Sequence, residues 1–508
     1  MKHFGCSPVY YPITGKRRYF MTRWLCFFSV FTSFLAAQTP SDQALDQMLE
    51  RAFSSGAVPG MSVAVVQGDH VVYARGFGVT DVFRNNPVKP ETPFYIASTT
   101  KSLTALAVLI GASQGKWEMD VPISNYLGRF SDSVDVDHIT VRELINHAHG
   151  IENDDALTMR TAYSGEIDPA GLERALTVLR SSVKPKTFDY TNTGYVLAGM
   201  IMEKATGHSW KEFVSDNVLN PAGMQRTKSS MRGVDIDALA QPHLIDTVGF
   251  RLLPYGKTDV TMHAAGGHIS TAPDLARLIV AQLNQGRIDG KQVFPEKLIA
   301  ESHRMQISQD KKFGSIQRFG WSPGWDIGIV NGDTLYHRFG SYAGFMSHVS
   351  FMPTHHLGVV ILVNEAAMGS RLTDVVASYL YDAYLGKPEV DKTYSKQFAN
   401  LSKMVAMVHE KIGEEYRKRL SRVAPLPHSM EAYTGTFIND AMGAMTWRVL
   451  DGSLWVTMGI AKSRAEIYNA AENKWRVEVT GRGEVMTFLF DGDMSTGVEY
   501  GGYLFQRN

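Results

Sequence analysis

The chain is poor in cysteine: Cys6 and Cys26 are the only two among 508 residues, and both lie near the N-terminus. From residue 27 onward there is none, which excludes a disulfide framework, a zinc–thiolate site and a cysteine nucleophile in the folded body. An excess of charge of one sign is also missing, because 51 lysines and arginines balance 51 aspartates and glutamates. A protein held on nucleic acid through many phosphate contacts usually carries a basic excess, so no nucleic-acid partner is expected. His-Glu-x-x-His is absent. The pairs His147/His149 and His355/His356 make a poor ligand set, and no metal is expected. Internal repeats and low-complexity tracts are lacking too. What remains is ordinary globular usage, 44% hydrophobic and 20% charged, in a chain long enough to bury a large core.

Long apolar runs are scarce as well. Trp24 to Leu35 is apolar over about 12 residues, too short to span a bilayer comfortably. Lys16-Arg17-Arg18 and Arg23 precede it and Ala36-Ala37-Gln38 follow, the pattern of a secretory signal peptide. Residues 1–37 are therefore expected to be a signal peptide or an N-terminal anchor, with translation starting at Met1 or Met21. The mature protein is expected to be secreted or periplasmic, touching a membrane only through an uncleaved N-terminus.

Residues 38–390 read as one α+β domain. Leu45, Met48, Leu49 and Ala52 share a helical face within Ser41 to Ser54. Met61 to Val66 and His70 to Ala74 read as a hairpin closed by Gln67-Gly68-Asp69. Helices are expected at Thr104–Ile110, Val141–His147, Tyr195–Ala205, Asp274–Leu283 and Arg371–Leu385. Strands return at Val330–Tyr336, His348–Met352 and Gly358–Val363. Strands at both ends with helices between predict one antiparallel sheet shared by the first and last strands. Residues 391–428 read as a helical linker, broken by Pro425 and Pro427. Residues 429–508 alternate, with turns such as Asp451-Gly452 and Asp491-Gly492, as in a small all-β sandwich or barrel.

Three clusters carry chemistry. Ser98-Thr-Thr-Lys101 is one of four Ser-x-x-Lys runs, and the only one that follows an apolar stretch and opens an apolar helix. A spacing of three places Lys101 one turn along on the face of Ser98. Serine needs a base to take its proton, and a lysine serves if desolvation lowers its pKa. The bland alternative is an N-cap serine beside a snorkelling lysine. Tyr190-Thr-Asn192 is the only Tyr-x-Asn. A tyrosine of depressed pKa relays protons, and the asparagine amide orients a substrate carbonyl or the lysine. The bland alternative there is a turn capping the next helix. Arg338-Phe339-Gly340-Ser341, before the strand Ser347 to Phe351, offers a cation for a carboxylate, or else a strand with a solvated arginine.

In this order, the three clusters resemble the serine β-lactamase and penicillin-binding protein superfamily. The nearest branch is that of class C β-lactamases, serine D-aminopeptidases and carboxypeptidases, and related esterases. Ile139-Thr-Val-Arg-Glu-Leu-Ile-Asn-His147-Ala-His-Gly150 is similar to the family's Leu-x-x-His-x-Ser-Gly segment, with His149 where a serine is common. Asn220-Pro-Ala-Gly-Met224 and Ala264-Ala-Gly-Gly-His-Ile-Ser-Thr271-Ala-Pro-Asp-Leu275 match two further stretches. The resemblance spans about residues 41 to 385 and implies a β-lactamase/transpeptidase-like fold.

It implies Ser98 as the acylated nucleophile, Lys101 as its base and Tyr190 as the proton shuttle, with Asn192 positioning substrate. The backbone N–H groups of Ser98 and Ser341 would form the oxyanion hole, beside Arg338 and Gly340. No metal or organic cofactor is implied. Phe339 departs from the family's threonine or glycine and is expected to narrow the site, and Val183 to Thr187 departs from a common Pro-Gly. The C-terminal β unit resembles the small barrel or lipocalin-like domains that some family members append, and its expected role is a lid, a substrate gate or an oligomer contact.

The expected function is an exported serine hydrolase acting on a carboxylate-bearing amide or ester, a β-lactam or a D-amino-acid peptide, through an acyl-enzyme. A carboxylesterase of small esters is the first alternative. A catalytically silent peptide-binding protein, favoured by Phe339, is the second.

Overall fold

The computed structural model describes residues 40–152, 155–182, 186–330, 332–422 and 425–508. The expected signal or anchor segment lies outside them. From Ser41, whose side chain caps the helix Asp42–Phe53, the chain enters the hairpin Gly60–Gln67 and His70–Gly78. These strands form one edge of an eight-stranded antiparallel sheet. The order continues through Leu357–Val363, Phe345–Met352, Asp333–Tyr342, Trp325–Val330, Ile316–Ser322 and Ile307–Phe313. Val63 pairs with Ile361, so the first and last strands of the domain do share one sheet.

The sheet separates two apolar cores. One face packs on the helical region around the helix Thr100–Ser113 and the helices Thr193–Thr206 and Ala272–Leu283. The other packs on Asp42–Phe53, Gly369–Tyr384 and the long helix Val390–Leu420, which buries Tyr394, Phe398, Leu401 and Val405. The central strand Leu357–Val363 is buried at every position, which explains its unbroken apolar run.

One expected strand is corrected. The run Val330 to Tyr336 is not continuous: Val330 ends one strand and pairs with Asp333, which begins the next. Gly332 has φ +93°, open to glycine and strained for any side chain. The Asn331-Gly332 dipeptide is itself a hairpin signal. The apolar residues on both sides hid the turn.

Residues Gly435–Arg507 form nine antiparallel strands around a third core, in which Tyr433 contacts the rings of Trp475 and Phe488, and Phe488 that of Trp447. The two edge strands, Ala461–Arg464 and Glu466–Asn469, are consecutive in the chain, so the sheet curls into a nearly closed barrel. The barrel abuts the first domain. Ile460 N donates to Ser164 O at 2.9 Å, and Arg160 reaches the carbonyls of Asp440 and Ala441.

Candidate active site

Ser98 sits in the turn Ala97–Thr99, between the short strand Phe94–Tyr95 and the helix Thr100–Ser113. Ala97 holds φ +46°, a strained value for a residue with a Cβ, and the turn is pinned from several sides. Phe94 and Tyr95 pair with Ser270 and Ile269, and Ile96 N donates to His268 O at 3.0 Å. Ser347 Oγ donates to Ile96 O at 2.9 Å and lies 2.8 Å from Thr99 Oγ1. The Asp333–Tyr342 strand runs directly against this turn. A Cβ on Gly340 would stand 2.0 Å from Ile96 O and 2.8 Å from Ser98 N. Only a glycine lets the strand come so close, and Ser341 is its next residue.

Lys101 lies on the face of Ser98, as the spacing requires, and is fully buried. Its Nζ donates to Ser98 Oγ at 3.2 Å, to Asn192 Oδ1 at 2.8 Å and to Ala265 O at 2.8 Å. No carboxylate accompanies it in that set, so burial is not offset by an anion and pushes its pKa down to about 8. The Tyr190 hydroxyl works against that fall and the Arg338 charge adds to it. Burial by itself raises the Tyr190 phenol. The charges of Lys101 and Arg338, with hydrogen bonds from Ser98 and Lys101, outweigh it and hold the phenol below its ordinary value. A serine, an easily deprotonated lysine and an acidified tyrosine therefore share one hydrogen-bonded cluster. Such a cluster can pass a proton among its members at small energetic cost.

Asn192 precedes the helix Thr193–Thr206, and its Oδ1 holds the lysine rather than capping that helix. Tyr190 is placed by His147. The imidazole packs 4.5 Å from the Tyr190 ring and 4.4 Å from Trp321, and its Nδ1 accepts Thr191 N–H at 3.3 Å. Burial first, then the charges of Lys101, His149, Arg338 and Lys311, keep His147 well below its usual pKa and neutral. His149 Nδ1 accepts Ile151 N–H at 2.9 Å, which leaves its proton on Nε2, 3.1 Å from Thr191 Oγ1. The His147/His149 pair thus braces the Tyr-x-Asn loop.

Arg338 differs most from expectation. The sequence suggested a cation open to a substrate carboxylate; the structure buries it fully. Its Nη1 pairs with Asp326 Oδ2 at 2.8 Å and its Nη2 donates to the Tyr190 hydroxyl at 3.2 Å. The planar fork thus joins an internal carboxylate to the phenol. Phe339 also departs from expectation. Alternation along the strand turns it to the opposite face of the sheet, where it stacks on Phe313 at 4.1 Å and under Arg318 at 4.7 Å. It does not narrow the space at Ser98.

Two groups had no sequence signal. Asp326 is a single carboxylate in an ordinary strand, recognisable only once that strand pairs with Asp333–Tyr342. Lys257 is buried beside three rings, Tyr342 at 3.5 Å, Tyr95 at 4.9 Å and Tyr163 at 5.9 Å. Its Nζ donates to Ala162 O at 2.7 Å and Thr261 O at 3.2 Å, and Tyr342 OH also donates to Ala162 O. It ties the end of the strand Asp333–Tyr342 to the segment Met159–Ser164, on which the barrel rests. At the same strand end, a Cβ on Gly481 of the barrel would lie 2.9 Å from that of Ala343.

The beta-lactamase family profile matches residues 42–378. The chain belongs to the beta-lactamase family. A protein named flp from Staphylococcus aureus is 26% identical over 342 residues, which are 64% of this chain and 63% of that protein. The chain thus spans less than two thirds of the length of these relatives. An unguisins hydrolase from Aspergillus campestris is 22% identical over 80% of this chain and 78% of its own length. Among solved structures, an octameric penicillin-binding protein homologue from Pyrococcus abyssi superposes with a TM-score of 0.56 at 23% identity, covering 91% of this chain and 98% of its own. A penicillin-binding protein from Bacillus halodurans covers 66% of this chain and 98% of its own at 21% identity, with a TM-score of 0.54. The family consists mostly of serine hydrolases built on this mixed helix-and-sheet fold.

Proposed function

We propose that the protein is an exported serine hydrolase that cleaves an amide or ester through an acyl-enzyme on Ser98. The observation that carries this reading is the hydrogen bond from Lys101 Nζ to Ser98 Oγ in a pocket that disfavours the ammonium. In this mechanism neutral Lys101 takes the Ser98 proton as Oγ attacks the acyl carbon. Tyr190 passes a proton to the leaving group and, in the second half, takes one from the attacking water. The N–H groups of Ser98 and Ser341 receive the oxyanion, and the close passage of Gly340 supports that placement. The basic and apolar stretch before Gln38 supports export. The unguisins hydrolase relative supports hydrolysis.

The Arg338–Asp326 pair favours a second reading within the same chemistry. With its charge already balanced, Arg338 makes no demand for a substrate carboxylate, so small neutral esters fit as well as β-lactams or D-amino-acid peptides. Phe339, the residue that favoured a silent binding protein, points away from Ser98.

The test is intact-mass analysis with a penicillin, and separately with a p-nitrophenyl ester, while following loss of each compound. A lasting mass gain that vanishes in Ser98→Ala indicates a penicillin-binding site, and penicillin loss without adduct a β-lactamase. Ester turnover alone indicates an esterase. If Ser98→Ala turns over substrate as fast as the parent protein, the proposal fails.

A further inference from the structure

A cavity lies where the barrel meets the long helix Val390–Leu420 and the hairpin His243–Leu252. It measures about 660 Å³, within the range of small-molecule sites, which favour such junctions between structural units. Six cations line it: Lys411, Arg419 and Arg422 from the helix and its end, Arg251 from the hairpin, and Arg476 and Arg482 from the barrel. Three lining carboxylates, Asp246, Glu415 and Glu478, oppose them.

Those carboxylates are already engaged. Glu478 accepts from Arg251 at 3.0 Å and from Arg476 at 2.6 Å. Glu415 takes the ammonium of Lys418 at 2.8 Å. Asp246 turns a side-chain oxygen back to Thr247 N at 2.7 Å. Outside the lining, Glu466 is stretched between Arg419 and Arg476, at 3.4 Å from each. Arg422 lies over the Tyr468 ring at 4.7 Å and, like Lys411 and Arg482, forms no salt bridge among the described residues. The Nε of Arg419 is buried with no hydrogen-bond partner. A buried guanidinium N–H left unpaired is costly, and unbalanced cations around one cavity repel each other. An anion with several oxygens relieves both penalties at once.

We propose that this cavity is a binding site for a small polyanion bearing two or more phosphate or carboxylate groups, separate from the Ser98 site. Arg419, Arg422 and Lys411 supply the charge from one wall, with Arg476 and Arg482 facing them across the cavity.

The test is isothermal titration of the full chain with tripolyphosphate and with citrate at physiological salt. The expected result is saturable one-to-one binding of at least one probe, weakened roughly tenfold or more by Arg419→Gln/Arg422→Gln and by Lys411→Gln. Tighter binding of tripolyphosphate assigns the site to phosphates, and tighter binding of citrate assigns it to carboxylates. Lys411 is exposed on its helix, so its replacement leaves the fold intact and keeps the test open if the double variant unfolds. Absence of binding by both probes at millimolar concentration overturns the proposal, as does binding that neither variant weakens.

Discussion

Arg338 Nη2 donates to the Tyr190 hydroxyl at 3.2 Å while the other arm of the same guanidinium rests on Asp326. The guanidinium of Arg338 acts on Lys101 as well, since its charge helps hold the ammonium pKa down. One strand residue therefore tunes both proton-carrying groups beside Ser98, and the consequences are measurable.

The rate of acylation should rise with pH through a midpoint near 8. In the proposed mechanism Lys101 acts as a base only when neutral, and its folded pKa is about 8, so the active fraction grows as the proton leaves. In Arg338→Met the repulsion is gone, both pKa values rise, and the midpoint should move to higher pH. Stopped-flow acylation by an ester between pH 6 and 10 checks this, and an unmoved midpoint contradicts it.

Lys101→Met should lose roughly a thousandfold or more in kcat/KM and yet gain stability at pH 7. The unfolded chain holds this lysine charged up to its ordinary pKa of 10.5, whereas the folded pKa is about 8. The native state bears that penalty in full below pH 8, and it fades as pH rises towards 10.5. Urea unfolding of the variant should therefore show a gain of about 1–3 kcal/mol at pH 7 that shrinks above pH 8.

Asp326→Asn leaves Arg338 buried without its counter-ion. Breaking a buried pair from one side costs about 3–5 kcal/mol, and equilibrium unfolding should show a loss of that order. Replacing an exposed partner, as in Arg84→Gln opposite Asp237, should change stability by less than about 1 kcal/mol.

Gly340→Ala should abolish hydrolysis. The added methyl meets backbone atoms, Ile96 O at 2.0 Å and Ser98 N at 2.8 Å, so the strand or the serine turn must move. Thermal unfolding and ester turnover measured together separate a displaced turn from a protein that fails to fold.

Short-range geometry was legible in the order of the residues alone. Ser98 and Lys101 meet because three residues make one turn, and Tyr190 and Asn192 flank one tight loop. The antiparallel sheet and the β character of the C-terminal unit followed from alternation and turns. The rest depends on strand pairing across long separations. Asp326, paired with His337 on the neighbouring strand, reaches the guanidinium of Arg338, which turned an expected substrate clamp into an internal ion pair. The same alternation sent Phe339 to the far face of the sheet. Lys257 gained its ring of tyrosines from three distant segments, and the polyanion cavity was assembled from a helix, a hairpin and a barrel. Local spacing fixes which groups can touch within a turn, whereas the charge and burial that set their chemistry come from whatever the fold packs against them.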